Sequence, residues 1–123
     1  MTQHAGLDAD RWSEFDLDQQ ILMIGNEMNR SVRLARLGQI EGVRRGYERV
    51  LRLTGLTVAC GLRPGLLREL LRWRGLVAEE YLAGSANPAW HGALLRSLLQ
   101  LRPVAALQIR LLEGAVRMEG PSI

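Results

Sequence analysis

Lysine is missing from this chain: all 16 of its basic residues are arginine. Lysine is ordinarily among the commonest residues of a soluble domain, and coding bias toward arginine in a GC-rich genome explains its loss most simply. Selection for arginine's bidentate grip on phosphate would leave the same mark. Cysteine occurs once, at Cys60, which excludes an intramolecular disulfide framework and a multi-cysteine zinc site. It lies in the apolar run Leu56 to Leu62, where a buried, inert thiol is expected. Histidine is nearly as scarce, with His4 and His91 alone. No Glu-x-x-His pair occurs, so a bundle-core di-iron site has no basis. HExxH, a glycine-rich phosphate loop and a Gly-x-Ser-x-Gly elbow are missing too. No apolar run approaches the roughly 20 residues of a membrane span. The opening MTQHAGLDAD has neither the basic region nor the apolar core of a secretory signal. These absences predict a cytoplasmic protein with no membrane partner, no cofactor and no metal site, and they lean away from an enzyme.

What is present is leucine. Apolar residues make up 47% of the chain, and leucine, a strong helix former, is the commonest of them. Isoleucine, valine and threonine are too scattered to build alternating strands. An all-α fold follows. At 123 residues the chain fits one domain that buries roughly two-thirds of its unfolded surface. The net charge is +3 and the sequence pI about 10.0. Asp8, Asp10, Glu14, Asp16 and Asp18 crowd the start, so the remainder is more basic than the total suggests. Three regions are expected: an acidic, loosely ordered leader over 1–15, a helical bundle over 16–118, and a frayed tail over 119–123.

Periodicity divides the bundle into helices. Asp16-Leu-Asp-Gln19 matches a capping box, and Leu17, Ile21, Ile24, Met28, Val32 and Ala35 follow on one face until Gly38. A second helix is expected from Gln39 to Cys60, with Ile40, Val43, Tyr47, Val50 and Thr54 on its buried face. Glu41–Arg45 and Glu48–Arg52 are spaced i, i+4 on the opposite face, acid first, the favourable order. Pro64 suits the first turn of a third helix, which runs to about Ala83. That helix carries Leu66, Leu70, Trp73, Val77 and Tyr81 on one stripe and Leu67, Leu71, Ala78 and Leu82 on another beside it. A stripe so wide needs two neighbours, within the bundle or across a subunit interface. Asn87 caps a fourth helix with Pro88 in its first position, and Trp90, Leu94, Leu98 and Leu101 form its apolar row. Pro103 either kinks that helix or begins a fifth, through Val116. Four to five helices in two antiparallel hairpins are the expected architecture. Gly38, Gly42 and Gly46 fall at steps of four; interior helix glycines cost about 1 kcal/mol each, and close approach of another helix is the usual compensation.

Gly38, Ile40, Val43, Tyr47, Val50, Leu51 and Leu53 resemble the second-helix half of a tetratricopeptide repeat. Glu27 stands where that family has tryptophan, and no second copy recurs at the period of about 34 residues. The resemblance therefore implies a single helical hairpin, not a solenoid. A glycine turn followed by a tyrosine-bearing, Leu-rich helix, loosely over Leu17 to Val116, is similar to HEPN-like helical bundles. Catalytic members carry an Arg followed four to six residues later by a His used in RNA cleavage. Neither His4 nor His91 has an Arg at that distance upstream, so the resemblance implies a member without the nuclease motif.

Candidate binding residues are few, and no catalytic or metal-ligating set emerges. Arg44, Arg45, Arg49 and Arg52 would grip phosphates without reading sequence, but Glu41 and Glu48 sit among them, which favours a solvated face. Trp12, Trp73 and Trp90 have the chemistry of interface anchors; Trp73 and Trp90 are expected to face each other across the third and fourth helices. His91 reads as a surface residue of a capping turn. The doubled stripe and the Leu-rich C-terminal region exceed what a small bundle hides, which points to association. The expected function is a non-enzymatic interaction module, a homodimer that binds another protein. The alternative is a nucleic-acid-binding or toxin–antitoxin-type helical protein using the Arg-rich face.

Overall fold

The computed structural model describes residues 9–84, 87–102 and Leu111. Its described elements are the helices α1 (Ala9–Trp12), α2 (Leu17–Arg36), α3 (Ile40–Ala59), α4 (Pro64–Ala83) and α5 (Pro88–Leu99). The described residues include no strand. α2 packs on α3 and α5, α3 on α4, and α4 on α5, so the four longer helices close into a ring. The all-α bundle is thus built from antiparallel neighbours joined by short turns. α1 lies against α3.

Local chemistry sets the ends of these helices. Asp16 Oδ1 accepts from Gln19 N at 2.8 Å, and Gln19 Oε1 accepts from Asp16 N at 2.8 Å, completing the capping box of α2. Asn87 Oδ1 accepts from Ala89 N at 3.0 Å and opens α5. Gly38 takes φ +72°, a left-handed conformation that suits glycine alone among common residues at a helix end.

The core unites every helix. Trp12, Ile21, Ile24, Met28, Tyr47, Val50, Leu70, Trp73, Val77, Leu94 and Leu98 are buried in one cluster. The glycine spacing in α3 meets α2 closely. A Cβ on Gly46 would collide with Ser31 Oγ, and one on Gly42 would stand 3.0 Å from Leu34 Cδ1. Ser31 Oγ is buried with no hydrogen-bond partner among the described residues, so the close crossing is achieved at the cost of one polar group.

Four expectations need correction. Residues 9–15 are not a loose leader: Trp12 is fully buried, and its indole N–H donates to Thr57 Oγ1 at 2.8 Å. The free energy of burying an indole outweighs the charge of its neighbours. Trp90 does not face Trp73; Trp73 is buried with its N–H on the Leu94 carbonyl at 2.8 Å, while Trp90 is exposed. His91 takes the buried place instead. Cys60 is exposed, because it caps the C-terminus of α3 where the chain turns outward. The segment after Pro103 and the tail lie outside the described residues.

Asp18 near the start of α2 receives Arg102 Nε at 2.5 Å, fastening the chain after α5 to α2. The hydrogen bond from Arg102 holds the Asp18 carboxyl below its ordinary value of 3.8. A lowered carboxyl contributes stability above its unfolded value and loses it as pH falls through the folded value. Asp18→Asn should therefore reduce stability at neutral pH by at most about 1 kcal/mol. The difference from the unmodified chain should vanish in acid, once pH has fallen through the folded carboxyl value. Urea titrations at the two pH values measure this; a difference that persists in acid would show that charge pairing is not its source.

Candidate functional site

One buried polar pair joins α3 to α5 across the core. Period places Tyr47 one turn beyond Val43 and one before Val50, so it points inward from α3. His91 lies three and seven residues before Leu94 and Leu98 and points inward from α5. Both side chains are buried, and the Tyr47 hydroxyl meets His91 Nδ1 in a hydrogen bond. The rings stand edge to face, with centroids 5.0 Å apart. Burial raises the Tyr47 phenol above its ordinary range, and the negative charge of Glu80 adds to the rise. The phenol therefore keeps its proton, and with the imidazole proton on Nε2 it donates to Nδ1.

A small cavity of about 40 Å³ adjoins this pair, lined by Ile40, Val43, Arg44, Tyr47, Glu80, Tyr81 and Gly84. It has room for a water or two, not for a substrate. At its edge the Tyr81 hydroxyl donates to Glu48 Oε2 at 2.7 Å, and the Arg44 guanidinium lies 5.4 Å from the Tyr81 ring centre. Tyr47 holds a proton more firmly than an ordinary phenol and is sealed from solvent. Such a pair orients helices; it is poorly placed for acid–base chemistry. Among the described residues no three of His, Cys, Asp or Glu converge to hold a metal ion. No described helix is long and apolar enough to cross a membrane.

The arginine group expected to act together is divided. Arg44 turns toward α4 and lies near Glu48 at 4.0 Å. Arg49 pairs across to Glu27 on α2 at 3.1 Å. Arg45 is exposed, as is Arg52. By period, Arg45, Arg49 and Arg52 share the side of α3 that borders α2. Trp73 is a core residue and has no surface to offer, whereas Trp90 does.

One end of the bundle is apolar and exposed, and it corrects the expectation for Ile40: helical spacing put it on the buried face of α3 with Val43 and Tyr47, but it lies open to solvent in the first turn of that helix. α2 and α4 end there, and α3 and α5 begin there. It carries Leu37 at 70% exposure, Ile40 at 57%, Leu82 at 82% and Trp90 at 42%. Periodicity put Ile40, Leu82 and Trp90 on apolar rows, but these residues sit in the terminal turns of their helices, where an apolar row runs on past the neighbours that would cover it. No protein-family model, curated protein or solved structure matches this chain.

Proposed function

We propose that this chain is a non-enzymatic helical interaction module that pairs with a second copy of itself and presents the pair to another protein. The observation that carries this is the cluster Leu37, Ile40, Leu82 and Trp90 on one end of the bundle. Single exposed apolar residues are ordinary, but a gathered set with an aromatic member is the usual mark of an interface. Leu82 continues the patch onto α4, where Leu71 is also exposed on the stripe that the bundle leaves uncovered. The non-catalytic reading draws on His91, the one histidine among the described residues, being committed to Tyr47 inside the core. It agrees with the resemblance to HEPN-like bundles without the nuclease motif. The exposed thiol of Cys60 suits a reducing compartment such as the cytoplasm.

The test uses exposed positions, so that folding is spared. Leu82→Glu and Ile40→Glu should each weaken self-association about tenfold or more, while the helical circular dichroism stays unchanged. Light scattering behind size exclusion reads the mass. Variants that associate as well as the unmodified chain would remove this end from the interface.

A second reading has its own support. Glu48, which would repel a polyanion from the Arg-rich face, is drawn toward α4 by Tyr81. Arg45 and Arg52 of α3 and Arg30 of α2 are all exposed, and guanidinium groups on a helical surface are suited to phosphate. Affinity for mixed-sequence RNA or DNA that falls steeply with salt would favour nucleic-acid binding over protein association.

A further inference from the structure

A larger cavity opens at the opposite end of the bundle, with a volume of about 310 Å³. That lies within the range of small-molecule sites. Phe15, Leu17, Leu62 and Leu66 supply its apolar lining, and Ser13, Gln20, Cys60 and Arg63 its polar one. Among the described residues no acidic side chain lines it.

Its walls are fixed by the fold. Gln20 is buried, and its amide nitrogen donates to the Trp12 carbonyl at 3.1 Å and the Phe15 carbonyl at 2.9 Å. Those bonds hold the α1–α2 turn onto α2, and the same nitrogen lies 3.9 Å from Cys60 Sγ at the end of α3. Trp12 supports Phe15 from below, ring centroids 5.9 Å apart. Phe15 itself remains partly exposed, presenting an aromatic face to the cavity without being consumed by the core.

Positive potential lies on one side only. Arg63 is exposed and makes no ion pair with a described residue. It is the N-cap of α4, whose first turn has no side-chain cap and no acidic residue. The positive end of the helix dipole is therefore left uncompensated beside it.

We propose that this cavity binds a small amphiphilic carboxylate, an aryl or medium-chain acyl acid. Its chain lies on Phe15, Leu17, Leu62 and Leu66, and its carboxylate meets Arg63 at the start of α4. The proposal is independent of self-association, since the cavity and the apolar end lie at opposite ends of the bundle.

Cys60 provides the readout, because it lines the cavity and is the chain's one cysteine. Its rate of reaction with an aromatic disulfide reagent is followed in the full chain with octanoate, benzoate, octanol or benzyl alcohol added. Saturable protection by an acid, at a concentration about tenfold lower than its alcohol requires, is the expected result. Arg63→Gln, a surface change that spares the core, should erase the difference between acid and alcohol. No protection by either acid at millimolar concentration would overturn the proposal. Equal protection by acid and alcohol would reduce the site to an unselective apolar hollow and overturn it as well. An acid preference that survives Arg63→Gln would remove the assigned carboxylate partner, with the same consequence.

Discussion

Trp12→Ala should destabilise the protein by about 3–5 kcal/mol, the cost of emptying a buried aromatic site. Domains of this size have about 5–15 kcal/mol in total, so the variant would lose a large share of its stability. The indole is fully buried, and its loss also leaves Thr57 Oγ1, inside the core, without its donor. The Trp12 main-chain carbonyl that accepts from Gln20 is retained, so the loss is that of the indole and its hydrogen bond. Urea unfolding followed by circular dichroism measures the effect. A change within about 0.5 kcal/mol, typical of surface substitutions, would mean that the N-terminal segment is not part of the core.

Tyr47→Ala should cost about 3–5 kcal/mol for the same reason, and the conservative variant separates packing from hydrogen bonding. Tyr47→Phe keeps the ring but leaves His91 Nδ1 buried without its donor, a loss of about 1–3 kcal/mol. Replacing both partners, Tyr47→Phe with His91→Leu, should recover part of that loss, because no orphaned polar group then remains at this contact. The phenol's raised pKa adds a pH signature. A group whose folded value is raised contributes fully below its unfolded value, about 10 for tyrosine. It loses that contribution as pH rises through the folded value. The unmodified protein should therefore weaken above about pH 10 more steeply than Tyr47→Phe. Parallel alkaline profiles would place Tyr47 outside the core.

The helices were legible because their signals are local. Asp16 and Gln19 are three residues apart, Asn87 and Pro88 are adjacent, and Tyr47 repeats with Val43 and Val50 at helical spacing. What escaped was phase and distance. In α5 the large apolar Trp90 suggests a row through Leu94 and Leu98, yet the buried face runs through His91, Leu94, Leu95 and Leu98. The rows differ by one residue, about 100° on a helix. Only the presence of Tyr47 across the core makes the polar side chain the better inward choice. Trp12 was hidden for a similar reason: its partner Thr57 is 45 residues away, and its sequence neighbours are charged. The Arg-rich face was legible as composition but not as an arrangement, since Tyr81 and Glu27 on other helices decide where Arg44, Glu48 and Arg49 turn.

Self-association through the apolar end is the claim on which the functional account rests. Sedimentation equilibrium of the unmodified chain across micromolar concentrations tests it most directly. The account predicts a reversible shift of mass from one chain, 13.8 kDa, toward twice that value as concentration rises. A mass that stays at one chain throughout would contradict it.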